Sequence, residues 1–125
     1  MEIKARAWDY TSQQMIYGVG ISEDGKAIMP GYQYFTQPHL LSPPMLYTGV
    51  KDIYSVGIYE GDIVTRGGGN FKVVYKNDKY YTGFVATAND ECSKYIHLWY
   101  NGIKVIDTIY NNPEALEEVC NNEGI

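Results

Sequence analysis

Histidine, cysteine and tryptophan occur only twice each in these 125 residues, and phenylalanine three times. That scarcity removes several function classes at once. Cys92 and Cys120 stand apart, without a C-x-x-C pair, and are expected to be free thiols in a reducing compartment. His39 and His97 have no neighbour at metal-ligand spacing. A set drawn from His97, Cys92 and Asp90 lacks the paired pattern of a zinc site, so neither a metal nor another cofactor is expected. No G-x-S-x-G elbow is present. Gly67-Gly68-Gly69 is followed by no Lys-Ser/Thr and no helical pattern, which makes it a hairpin tip and not a phosphate cradle. No apolar run approaches a membrane span. The opening MEIKARAWDY has no apolar signal core, so a cytoplasmic protein without a membrane partner is expected. Basic residues are also short, 10 against 15 acidic ones for a formal charge of −5. That balance argues against non-specific grip on a DNA backbone.

What is abundant is tyrosine, 13 residues. Its apolar body and polar tip suit binding surfaces, and its strand propensity alone would also explain the number. The chain is long enough for one domain with a real core. Residues 3–8, IKARAW, alternate as a strand, with Ile3, Ala5 and Ala7 opposite Lys4, Arg6 and Trp8. Met15 to Ile21 is a second strand, and Glu23-Asp24-Gly25-Lys26 a tight turn returning through Ala27 to Met29. Residues 30–45 hold four of the five prolines. They read as an irregular loop pinned by Tyr32, Tyr34, Phe35 and Leu40-Leu41. The loop has no P-x-x-P motif with basic flanks.

Met45 to Thr48 begins another strand. Asp62 to Arg66, a glycine tip at 67–70 and Phe71 to Lys76 form a hairpin. Asn77-Asp78 turns the chain into Tyr80 to Thr87, interrupted at Gly83. Tyr95 to Tyr100 places Ile96, Leu98 and Tyr100 on one face. Asn101-Gly102 reads as a hairpin turn into Lys104 to Tyr110. Strands at this spacing suggest a small barrel or sandwich. At the end, Asn112 as cap, Pro113 and Glu114 open a short helix with Leu116, Val119 and Cys120 on one face.

The stretch Leu46 to Val64 organises the rest. In IYEGDIV, Gly61 supplies a positive φ and Asp62 folds its carboxylate onto backbone N–H groups of the turn. Three segments, EIKARAWD (2–9), YTGVKDIYSVGIYEGDIV (47–64) and IYNNPEAL (109–116), together resemble the YopX family of phage and prophage proteins. They do so in order and over essentially the whole chain. The resemblance implies a single mainly β domain over 1–125. It consists of a small SH3-like β-barrel with a short C-terminal helix (46–125), preceded by an N-terminal β extension, a meander plus the Pro-rich loop (1–45). It also implies carriage by phages of low-GC bacteria and a family without an established activity, so no catalytic residue is carried over. Similar sequences have a polar, Asn-Gly-like turn after TG-x-KD. Here Ile53-Tyr54-Ser55-Val56-Gly57 stands instead, which places Ile53 and Tyr54 on an exposed apolar spot.

Glu60 and Asp62 are the obvious carboxylate pair, but Gly61 breaks their shared face and Asp62 is accounted for by the turn. The protein is therefore expected to be no enzyme. Three contact roles remain. One is an assembly module that self-associates, suggested by the tyrosine content, the packed Pro-rich loop and the exposed Ile53-Tyr54. A second is a single-stranded nucleic-acid binder, with Lys72, Tyr75, Lys76, Lys79, Tyr80 and Tyr81 interleaving cations and rings along one hairpin. The third is a regulator that binds a host or phage protein. The first is the preferred expectation.

Overall fold

The structure, a computed structural model, describes residues 4–31, 40–88 and 95–116. It is mainly β and divides into two compact units, residues 1–47 and 48–125. The strands are β1 (Ala5–Asp9), β2 (Gln14–Tyr17), β3 (Gly20–Ile21), β4 (Ala27–Ile28), β5 (Met45–Lys51), β6 (Gly57–Tyr59), β7 (Asp62–Arg66), β8 (Gly69–Asn77), β9 (Thr82–Thr87), β10 (Tyr95–His97) and β11 (Lys104–Thr108).

In the first unit β1 lies between β2 and the start of β5, antiparallel to both. All five of its residues are buried, so its two faces are both covered despite their different polarity. On one face Ala5 and Ala7 join Val19 and Ala27, with Ile16, Leu41 and Leu46 against them. On the other, the guanidinium of Arg6 reaches the Tyr17 hydroxyl at 3.4 Å. Asp9 ends the strand by accepting from Thr11 N (2.9 Å) and Ser12 Oγ (2.7 Å). The strand expected over Met15 to Ile21 is cut in two at Gly18, whose φ is 75°. The Asp24-Gly25 turn joins β3 to β4 as expected, with φ 81° at Gly25. From the Pro-rich loop, Ser42 accepts from Trp8 N at 2.9 Å and Leu41 packs on the cluster, whereas Leu40 points outward, 68% exposed. Leu40 is therefore no anchor. Tyr32, Tyr34 and Phe35 lie outside the described residues.

The second unit is built on a five-stranded antiparallel sheet, ordered β10-β9-β8-β7-β11 and curled into a half-barrel. Its concave face holds Val64, Val73 and Ala86. Ile58 of β6, Leu98 and Ile103 close the core, with Val50, Phe71, Phe84, Ile96 and Val105 packed around it. The glycine tip is a two-residue turn at Gly67-Gly68, with φ of 60° and 84°. Positive φ at both central residues matches the right-handed twist of the flanking strands.

Two expectations fail in this unit. The strand drawn over Tyr95 to Tyr100 ends at His97, where Tyr100 N donates back to the His97 carbonyl. Asn101-Gly102 makes a local turn but no hairpin. β11 pairs with β7, at the opposite edge of the sheet from β10. Carrying the chain across the curl lets Leu98 and Ile103 both enter the core, 4% and 2% exposed. At the C-terminal end, residues 114–116 form a helical turn with Leu116 buried. Val119 and Cys120 of the expected helix lie outside the described residues, as do Cys92, Asp90 and His39.

The Glu60-Gly61-Asp62 corner is as the sequence suggests. Gly61 has φ 83°, and Asp62, 1% exposed, accepts from Tyr59 N at 2.8 Å. Gly61 N donates to Val73 O, and Ile109 N to Gly61 O, so the corner also ties β8 to the end of β11. Replacing Asp62 with alanine leaves a buried donor unsatisfied and is expected to cost about 2 kcal/mol. Asp62→Asn, which keeps an acceptor, costs less. Urea midpoints at unchanged m-value check both.

Candidate contact surface

Strand alternation sorts the side chains of β8 and β9 onto two faces. Phe71, Val73 and Tyr75 share the core side, and Tyr75 meets its cross-strand partner Phe84 edge-on with centroids 5.3 Å apart. Lys72, Val74 and Lys76 point the other way. On that outer face the partner of Lys76 is Gly83. A Cβ there would come within 2.9 Å of the Tyr81 hydroxyl and 3.2 Å of its ring. The missing side chain therefore makes the space in which Tyr81 lies, and its φ of 148° suits glycine as well.

From Tyr81 a chain of rings continues over β10 and the turn after it. Tyr81 and His97 meet edge-on at 4.8 Å, and Tyr95 and Tyr100 present edges to the same imidazole at 5.7 and 5.8 Å. His97 and Trp99 stack, with centroids 4.0 Å apart and planes 10° from parallel. Cations flank the group. Lys76 Nζ is 4.9 Å from the centre of Tyr95, and the Arg66 guanidinium 5.2 Å from that of Tyr100. In each the cation is drawn to the negative face of the ring. Trp99 is nevertheless 62% exposed, a large apolar ring held out to solvent by its stack on His97.

Beside Trp99 lies an open cleft of about 240 Å³ between the 50–53 segment and the 98–103 loop. Its wall depends on Asp52. One carboxylate oxygen accepts from Tyr54 N (2.8 Å) and Val56 N (2.9 Å), the other from Val105 N of β11 (2.9 Å). Ile53 N donates to Ile103 O at 3.0 Å, a further strap between the same segments. Burial raises the pKa of Asp52, but the N–H groups of Val105, Val56 and Tyr54, aided by Lys104, outweigh it. The net shift is downward from the ordinary aspartate value. In the turn so formed Ser55 takes φ 64°, and Ile53, Tyr54 and Val56 are 55%, 66% and 49% exposed, as the apolar replacement of turn residues implied.

A family model described as YopX protein matches residues 4–117. The chain belongs to the YopX family. The crystal structure of protein EF1440 from Enterococcus faecalis is similar in fold, with a TM-score of 0.61 at 22% identity, covering 93% of this chain and 99% of that one. A comparison with curated proteins gives no match.

In this YopX protein the residues singled out from the sequence do not form one site. Tyr81 and Lys76 join the ring cluster, and Lys72 shares their face. Tyr75 belongs to the opposite face, which separates it from the lysines with which it was grouped. Tyr80 is 81% exposed at the turn, under Lys79 Nζ at 5.0 Å. That turn is held by Asp78, which accepts from Tyr80 N and Tyr81 N and pairs with Lys76 at 2.9 Å. The Lys76 contact, followed by those N–H groups, lowers the Asp78 pKa, and the same contact raises that of Lys76. Tyr54 sits apart, on the Asp52 turn, with Lys104 Nζ 5.6 Å from its ring centre. Sequence reasoning missed Tyr95, His97, Trp99, Tyr100 and Arg66. Their signal is the other half of the alternation over 95–100: Tyr95, His97 and Trp99 interleave with Ile96, Leu98 and Tyr100.

Two expectations test this geometry. Gly83→Ala should cost about 1–3 kcal/mol. Most of the steric part should vanish in a Tyr81→Ala background, read as a coupling energy in a double-mutant cycle. Asp52→Asn removes one acceptor facing buried donors and should cost about 1–3 kcal/mol near neutral pH. Because the folded-state pKa is depressed, the contribution of Asp52 is complete above the unfolded value of about 3.9. It is lost as pH falls through the folded one. The difference between wild type and Asp52→Asn should therefore be steady from pH 7 to about 5 and shrink on acidification below about 4, which urea melts at stepped pH would show.

Proposed function

We propose that this YopX protein is a cytoplasmic phage or prophage module with an SH3-like scaffold that works by contact rather than by catalysis. Its contact surface is the aromatic cluster on Trp99, and its partner is a copy of itself. The observation that carries this reading is the exposed, pre-stacked Trp99 with Tyr100 and Arg66 beside it. Tryptophan, tyrosine and arginine are the residue types that dominate interface energetics. A ring already locked against His97 loses little freedom on docking.

Single-strand nucleic-acid binding is the second reading, favoured by Lys76 and Tyr81 sharing a face with Tyr95, His97 and Trp99. The pairing of Lys76 with Asp78 and the formal charge of −5 weigh against it.

Trp8 is buried and Trp99 exposed, so solvent-sensitive emission reports on Trp99. Sedimentation velocity over a concentration series should show reversible association, accompanied by a blue shift of that emission. Trp99→Ser should weaken association by about tenfold or more. A strict monomer at every concentration would sink the assembly reading, and quenching by oligo(dT) at low salt would replace it with the nucleic-acid one.

A further inference from the structure

The β7–β11 pair is electrically polar along its length. At the end where Thr65 faces Lys104, both Arg66 and Lys104 are exposed. Arg66 lies over Tyr100 and donates from Nε to the Asn101 carbonyl at 2.6 Å, while Lys104 lies over Tyr54. Lys51, also exposed, lines the cleft between these walls. The single carboxylate among the cleft residues, Asp52, has both oxygens engaged by backbone N–H groups. At the other end, where Thr108 faces Asp62, come the half-buried Glu60, the half-buried Asp107, whose Oδ1 accepts from Thr108 N and Asn111 Nδ2, and the exposed Glu114. Five residues of β7 set the two ends about 15 Å apart.

We infer that the self-association proposed above is head to tail, the cationic aromatic cleft of one copy receiving the acidic end of the next. Two clefts brought face to face would oppose three cations with three, and like-charge juxtaposition is strongly disfavoured at an interface. Cleft against acidic end sets cations on carboxylates. A cleft of about 240 Å³ is smaller than the sites of about 300–1,000 Å³ that hold small molecules. It suits an inserted side chain with its charged neighbours. A contact between two different patches does not close in a pair, so copies add into a ring or an open chain. The charges are exposed, so salt screens them within about 8–10 Å and the association weakens as salt rises.

A mixing experiment decides the matter. A head variant carries Arg66→Gln and Lys104→Gln; a tail variant carries Glu60→Gln and Glu114→Gln. Each alone is expected to sediment as a monomer at concentrations where wild type associates. Mixed one to one they should give a dimer and nothing larger, because only one complete interface exists between them. The charge-reversed versions, Arg66→Glu with Lys104→Glu and Glu60→Lys with Glu114→Lys, should also stay monomeric alone and can replace any neutral variant whose circular dichroism differs from wild type; mixed, they regain both complementary contacts and should grow beyond a dimer. A mixture that stays monomeric, or a variant that still associates alone, overturns the head-to-tail arrangement. If wild-type association is weakened by Trp99→Ser and untouched by the charge variants, that arrangement fails while self-association stands. A wild-type monomer at low salt defeats both.

Discussion

One carboxylate holds the cleft end of the second unit in shape. Asp52 takes three backbone N–H groups from two segments 53 residues apart in the chain, two from its own turn and one from β11. That acceptor works alongside two backbone hydrogen bonds, Ser55 N to the Asp52 carbonyl at 3.0 Å and Asp52 N to the Val56 carbonyl at 2.8 Å, to close the 52–56 turn with Ser55 at positive φ. The cleft wall, the seating of Ile53 against Ile103 and the placement of Lys104 over Tyr54 all follow from it. The interaction is strong because it is charge-assisted and largely out of water.

The same device recurs. Asp9, Asp52 and Asp62 are 0%, 9% and 1% exposed, and each accepts from backbone N–H groups at a chain reversal. In an acidic protein it is tempting to look for reactive carboxylates. Asp52 answers three N–H groups, Asp9 an N–H and a hydroxyl, and Asp62 an N–H; for Asp52 those donors outweigh burial and favour the charged form. The surface that remains is uneven, with cations gathered at the aromatic end of the β7–β11 pair and carboxylates at the other.

The aromatic cluster depends on an absence. Gly83 leaves room for Tyr81, Tyr81 braces His97, and His97 carries Trp99. None of these rings is part of the apolar core. They are organised by one another, and that is why a tryptophan can be displayed to solvent in a defined orientation. A flexible exposed indole would be a weaker anchor, because ordering it on contact costs conformational freedom.

Much of the local architecture was legible in the residues. Asp24-Gly25, Gly67-Gly68 and Glu60-Gly61-Asp62 are turns because positive φ and short-range acceptors are properties of the residues themselves. The alternation in β8 separates Phe71, Val73 and Tyr75 from Lys72 and Lys76, and grouping Tyr75 with those lysines overlooks it. What the tertiary structure decided was neighbourhood. Asn101-Gly102 carries hairpin chemistry, yet β11 crosses to β7 because only that path buries Leu98 and Ile103 together. The third N–H on Asp52, the grouping of four rings around His97 and the sorting of charge to two ends all depend on the curl of the sheet. A sequence pattern specifies which way a side chain points along its own strand. Which distant strand it then meets is settled by how the whole core closes.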